Sequence, residues 1–262
     1  MKLNIVPART GITWVKLGIS TFFKQPLALA GLFLLYMLVM FLMSQVPWVG
    51  AAVAAVFVPA STLGIMVAVK QVTTGRFPMP TVLISAFRAG RERAGAMLLL
   101  GLFYAGGWFL GLATATLIAP PPTGAEVSTV AGQGQLAWFY LVVTLLSLPL
   151  NLLFWHAPAL VHWHQVAPLK SMFFSLVACL RNFWAMVIFA LTWLAIFMVA
   201  LFGLALVGVA LGGAAMMTSV LVPTFLLLLA MFSTSIYFTF RDSFVEEEFP
   251  PPEISHDATH PA

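Results

Sequence analysis

The chain has 262 residues, of which 61% are hydrophobic and only 8% charged, with a net charge of +4 and a mean hydropathy of +1.02. Soluble domains carry about 25% charged residues, so this composition excludes a water-soluble globular protein and places the chain in a membrane. The single cysteine, Cys179, excludes an internal disulfide and a cysteine-rich metal site.

The polar lead carries Lys2, Arg9, Lys16 and Lys24, and the first apolar run starts near Leu27. That run has the length of a full span rather than of a signal peptide's apolar region of about 7–15 residues, so no cleavable signal is read. Six apolar runs, at roughly 27–45, 48–69, 95–118, 136–161, 183–209 and 215–240, can each cross a hydrocarbon core of about 30 Å, which takes about 20 helical residues. Backbone groups in lipid must be satisfied within the segment, so the runs are helices. They lack the alternation of barrel strands. The expected fold is an all-α polytopic membrane protein with one transmembrane domain over residues 1–240. Residues 241–262, with Glu246–Glu248 and Pro250–Pro252, read as a disordered acidic tail.

The twelve Lys and Arg set the orientation. Four precede the first span. Lys70, Arg76, Arg88, Arg91 and Arg93 lie between the second and third. Lys170 and Arg181 lie between the fourth and fifth, and Arg241 follows the sixth. The connections after spans one, three and five hold none. The positive-inside rule then places both termini in the cytoplasm. The outer connections near Gln45–Pro47 and Leu211–Ala214 are short. The third, Pro120 to Gln135, is Pro- and Gly-containing and reads as a flexible loop.

The segments before the odd-numbered spans, Gly11–Lys24, Thr81–Arg91 and Leu169–Arg181, look alike. Ser20, Ser85 and Ser175 stand at equivalent places, six residues before Pro26, Arg91 and Arg181. On a helical wheel Leu169, Met172, Phe173, Leu176 and Leu180 share one face of the third, while Lys170, Ser171 and Ser175 take the other. Each segment reads as an amphipathic helix in the membrane interface, its basic side toward headgroups. In the first, Trp14 and Leu17 sit off the stripe. Each even-numbered span carries a proline, Pro59, Pro158 or Pro223. The expected architecture is three hairpins of six transmembrane helices, each preceded by an interfacial helix.

No Asp, Glu, Lys or Arg lies inside a span. Intramembrane ionisable residues usually mark ion paths, so ion-coupled transport and carboxylate chemistry are disfavoured, whereas movement of a lipid-like molecule is not. His156, His162 and His164 could ligate haem or a metal, but two-, six- and eight-residue separations diverge on a helix. An aromatic belt formed with Trp155 and Trp163 is the favoured reading, and no cofactor or metal is expected. Asn151, near Pro149, either bonds across helices or contacts a ligand, and with His156 it is a possible cavity residue. Gly107–Gly111 and Gly208–Gly212 fit close helix packing. Arg88, Arg91 and Arg93, with Lys170 and Arg181, are candidates for binding acidic lipid or an acidic partner, against a plain topology anchor. The three serines have no His–Asp partners at a recognisable spacing. There is no P-loop or dinucleotide fingerprint.

The leads Asn4–Lys16 and Pro168–Trp184 resemble those of a family of uncharacterised integral inner-membrane proteins of Gram-negative bacteria. The resemblance implies a multi-pass protein of the bacterial cytoplasmic membrane and brings no catalytic residues. More distantly, the repeated layout is similar to the membrane domain of some glycerophosphodiester phosphodiesterases, whose soluble catalytic domain is absent here. The expected function is non-enzymatic: organising lipid or partner proteins at the inner face, with the bilayer and its anionic lipids as partners and no nucleic acid. The alternative is a transporter or channel for a small or lipid-like solute, through a cavity between the proline-bearing spans.

Overall fold

The computed structural model describes residues 2–211 and 214–245. A two-residue strand, β1 (Lys2–Leu3), leads into α1 (Thr10–Lys24). The spans follow as α2 (Pro26–Ser44), α3 (Gly50–Thr73), α5 (Arg91–Ile118), α6 (Val130–Phe154), α9 (Phe183–Leu211) and α10 (Ala214–Ser243). A short helix α4 (Ser85–Arg88) precedes α5, while α7 (Ala157–His164) continues the fourth crossing and α8 (Pro168–Arg181) leads into the fifth. Six crossings are long and apolar enough for a membrane. The molecule is an all-α polytopic membrane protein.

α3 is the most enclosed of these spans. Its sequence explains why: Ala54, Ala55, Ala60, Ser61, Gly64 and Ala68 leave little side chain to hold neighbours away, and all are buried. Gly101 of α5 meets the Val56 carbonyl so closely that a Cβ would collide with it. α3 also touches α2, α7 and α10. Gly107 of the first small-residue pair packs against Leu150 of α6. Gly212 of the second pair lies outside the described residues, as do most of the Leu211–Ala214 connection and the tail from 246 onward.

α10 continues through Ser243, and β2 (Phe244–Val245) pairs antiparallel with β1, Lys2 opposite Val245. The described chain therefore reaches Val245. The two ends of the described chain meet at the bundle end that carries Lys70, Arg88 and Arg241, called here the basic end.

The Pro120–Gln135 connection has more structure than a flexible loop. Thr123 and Glu126 form a reciprocal capping box around a 3₁₀ turn, Gly124–Ser128. The Thr129 hydroxyl then accepts from Gly132 N at 3.0 Å, so α6 starts at Val130, a turn and a half before the apolar run. The signal was the T-x-x-E spacing, which satisfies orphan donors without any hydrophobic residue.

The three lead segments differ from plain interfacial helices. Each packs on a span through small residues. α1 lies on α9 and α10 with Gly11, Trp14, Val15, Gly18 and Phe22 buried, so Trp14 belongs to the packed stripe. α8 lies on α6 and α7, burying Ser171, Ser175, Ala178 and Cys179. Leu169, Phe173 and Leu180 are exposed, which on a membrane protein is a lipid-facing ridge. Burial pushes the Cys179 thiol up to about 12. Ser171 and Ser175 thus face protein rather than headgroups. A wheel sorts large apolar from polar positions, but a third, small-residue face is defined only by what packs on it.

The second lead is not one helix. The segment forms a 3₁₀ turn, Pro80–Ile84, with Pro80 at its first position where no N–H is needed, followed by α4. The three serines are not equivalent either. Ser20 is exposed and bonds Leu17 O, Ser85 is unpartnered, and Ser175 bridges two backbone groups of the fourth crossing.

That bridge explains the break between α6 and α7. The Ser175 hydroxyl donates to Leu152 O at 2.8 Å and accepts from His156 N at 2.9 Å. It replaces the helical bond that Leu152 O and His156 N would otherwise make to each other, the insertion that kinks a helix. Ser175→Ala strands His156 N and leaves Leu152 O only the long contact from Cys179 Sγ at 3.9 Å. Each costs about 1–3 kcal/mol when unpaired, so a loss of about 3 kcal/mol is expected in the thermal unfolding of the purified protein.

Candidate functional site

The basic end is shaped by a reversal after α3. Thr73 and Thr74 are followed by Gly75 at φ 76°, and Arg76 N donates back to Gln71 O at 2.9 Å. Residues 80–88 then return along α3. Leu83 comes so near Gly64 that a Cβ there would sit 2.7 Å from the Leu83 Cα. Phe87 reaches Phe57, ring centroids 5.7 Å apart. Gly90, at φ 104°, then redirects the chain into α5. Irregular backbone at such depth is tolerated where it is buried in protein or lines a cavity, and this segment lines two.

On one side Pro80, Leu83, Ile84 and Phe87 face α2 and α3 across an apolar groove of about 350 Å³. On the other, Thr81, Ser85 and Arg88 face Val67 and Gln71 of α3 and His162 of α7 across a polar cleft of about 320 Å³. Two polar atoms here, Ser85 Oγ and His162 Nδ1, are buried without a hydrogen-bond partner. Lys70 and Arg93 lie within electrostatic reach of His162. Lys70 Nζ also sits 5.0 Å above the Trp163 ring. A guanidinium, a carboxamide, two hydroxyls and an imidazole converge with no carboxylate in the lining, a donor set suited to an oxyanion such as phosphate.

A second cleft of about 340 Å³ lies across Trp163, between Lys70 and Arg241. Its charge is largely answered from within. Arg241 Nε is 2.7 Å from Asp242 Oδ1, and Trp14 Nε1 donates to Asp242 Oδ2 at 2.9 Å.

Of the residues singled out in the sequence, the structure brings Arg88 into the polar cleft and Arg93 near it. Arg91 is exposed beyond its rim. Lys170 and Arg181 are exposed on α8 and line neither cleft. Gln71 had no site signal of its own, and His162 and Ser85 were weighed only as a metal ligand and as one of three serines, because their convergence depends on the turns at Gly75 and Gly90.

Asn151 lies elsewhere. It lines a cavity of about 210 Å³ with Pro59, Tyr104, Phe154, Pro158 and Phe232 among its walls. Residues of α3, α5, α6–α7 and α10 line this half-open cavity. His156 does not line it. Its ring is fully buried, 5.5 Å from the Phe244 ring centroid, and neither ring nitrogen has a partner. Among the described residues no three His, Cys, Asp or Glu converge as a metal site.

One structural residue was not singled out in the sequence. Asn182, at the α8–α9 junction, is buried. Its Oδ1 accepts from Val6 N at 2.8 Å, and its Nδ2 donates to Asn4 O and Ser243 Oγ at 3.0 and 3.3 Å. It ties both terminal segments to the bundle.

The chain is similar to a probable inner membrane protein of Burkholderia thailandensis, with 33% identity over 267 residues, covering 97% of this chain and 98% of the relative. No family model and no solved structure matches it. The distant likeness to glycerophosphodiester phosphodiesterases gains no support from these comparisons.

Proposed function

The chain belongs to the family of that inner membrane protein, and from this premise we propose that its basic end faces the cytoplasm and holds the phosphate of an anionic lipid in the cleft beside Arg88. The observation that carries the reading is the pair of buried, unpartnered atoms, Ser85 Oγ and His162 Nδ1, in a cleft that also holds Arg88 and Gln71. Polar groups kept from water and from each other cost free energy, and a phosphate would satisfy both. The cytoplasmic leaflet supplies such lipids. The orientation rests on all twelve Lys and Arg flanking one side of the spans. The antiparallel pairing of Lys2 with Val245 agrees with both termini sharing that side. The role is one of binding: gathering anionic lipid, and protein partners that recognise it, around the bundle. The alternative, a carrier for a small or lipid-like solute, draws on the cavity at Asn151.

The experiment is a lipid titration of the purified protein by native mass spectrometry, with phosphatidylglycerol against phosphatidylcholine. Each basic residue near an anionic surface contributes about 1 kcal/mol. Replacing Arg88, Arg91 and Arg93 together with Gln is expected to weaken phosphatidylglycerol binding about 100-fold and to leave phosphatidylcholine unchanged. Undiminished phosphatidylglycerol binding would contradict the reading.

A further inference from the structure

We propose that the cavity at Asn151 is a second, uncharged lipid site that takes the carbonyl end of a membrane lipid, with its hydrocarbon chain against Phe154, Trp155 and Phe232. The inference goes beyond the headgroup cleft and uses different residues.

Depth is the first argument. Pro59 is near the middle of α3 and Tyr104 near the middle of α5, so the cavity lies where bilayer water supplies no hydrogen bonds. Its polar groups are nevertheless underused. Asn151 Nδ2 makes one long contact, 3.5 Å, to Ser147 Oγ, and no described residue donates to its Oδ1. The Tyr104 hydroxyl makes no hydrogen bond among the described residues. Thr62, also in the lining, spends its hydroxyl on Val58 O at 3.0 Å. Amide and phenol groups in hydrocarbon cost several kcal/mol in order of magnitude when unpaired, so both require a partner.

The wall chemistry narrows that partner. No charged residue lines the cavity, which excludes a phosphate or ammonium head. An amide N–H and a phenol O–H both donate, and a carbonyl oxygen, the strongest neutral acceptor a membrane lipid offers, has two lone pairs with which to accept from both. The remaining walls are aromatic and aliphatic. A volume of about 210 Å³ is below the 300–1,000 Å³, roughly, of sites that enclose a whole small molecule. The site therefore takes one end of a ligand whose remainder extends into the bilayer. Asn151 is exposed, which puts the mouth on the α6 side. The Ser175 bridge supports this geometry, because it holds open the break before Pro158, one of the walls.

Ester lipids and isoprenoid quinones both present such a carbonyl, and the test separates them. The full-length protein is incubated with either of two photoreactive probes: a diacylglycerol with a diazirine in its acyl chain, or a ubiquinone analogue with a diazirine in its tail. Adducts are mapped by peptide mass spectrometry. The expected result is labelling concentrated on residues 58–62 and 151–158 by at least one probe. The responding probe identifies the source. Asn151→Leu, which keeps the side-chain size, is expected to lower that labelling about 10-fold, the effect of losing one buried hydrogen bond. Ile236→Trp, which fills the cavity, is expected to abolish it. Arg88→Gln should leave it unchanged, so failure here and failure of the headgroup reading are distinguishable. Labelling no stronger than on the lipid-facing residues around Leu110 and Leu117, or labelling unaffected by Asn151→Leu, overturns the proposal. If Ile236→Trp does not fold, Asn151→Leu decides alone.

Discussion

Asn182→Leu is expected to lower the thermal unfolding midpoint of the purified protein by roughly 10 °C. The substitution keeps the volume and removes every polar atom. Val6 N–H, Asn4 C=O and the Ser243 hydroxyl then lose a partner at once. Groups of this kind cost about 1–3 kcal/mol each when buried and unpaired, and partial access to water lowers the sum to about 3 kcal/mol. For a chain of this size 1 kcal/mol is roughly 2–4 °C. The loss should be local at first, with the lead strand released from β2. Amide hydrogen exchange at residues 2–6 should therefore rise more than exchange in α3. A midpoint unchanged by Asn182→Leu would mean that the terminal clasp contributes nothing to the fold.

A larger effect is expected at Gly18. A Cβ there would collide with the Cβ of Ser235 and lie 2.7 Å from its Cα. Ser235 cannot step aside, because its hydroxyl bonds Phe232 O and accepts from Trp193 Nε1 at 3.0 Å. Gly18→Val would push α1 off α10, and Trp14 would lose its bond to Asp242. Overpacking costs about 1–3 kcal/mol where neighbours can yield and more where they cannot, so little folded Gly18→Val is expected in membranes. Gly31→Ala is the control, since its Cβ meets nothing within 4 Å and the change should be neutral or slightly stabilising. Equal yields of the two variants would contradict the packing of α1 on α10.

The spans were legible because lipid imposes one rule, length and apolarity, on every residue of a crossing. The lead segments were half legible. The wheel separated Leu169, Phe173 and Leu180 from Lys170, but Ser171 and Ser175 looked like headgroup-facing residues because small polar side chains suit either water or a tight helix contact. The second lead read as a helix like the others, but its return along α3 depends on Gly64 leaving room for Leu83. The site divides in the same way. Arg88 was legible as charge and Asn151 as a costly amide in a span. Ser85, Gln71 and His162 come from three elements, and no local pattern brings them together. Asn182 was silent because its partners lie far away at both ends of the chain.

The proposed function needs a built site at the basic end rather than a diffuse charge. Both are exposed, but Arg88 lines the cleft and Arg91, three residues on, does not. The two carry the same charge at the same end of the bundle, so general attraction to an anionic surface treats them alike. A phosphate seated beside Ser85 and His162 does not. The decisive measurement is the phosphatidylglycerol dissociation constant of Arg88→Gln and of Arg91→Gln, each as a single variant, at one fixed salt concentration. The account predicts at least about 10-fold weaker binding for Arg88→Gln, the loss of one charge-assisted hydrogen bond, and a change of less than about threefold for Arg91→Gln, an exposed charge. Equal losses in the two variants would contradict it and leave the basic end as a topology anchor.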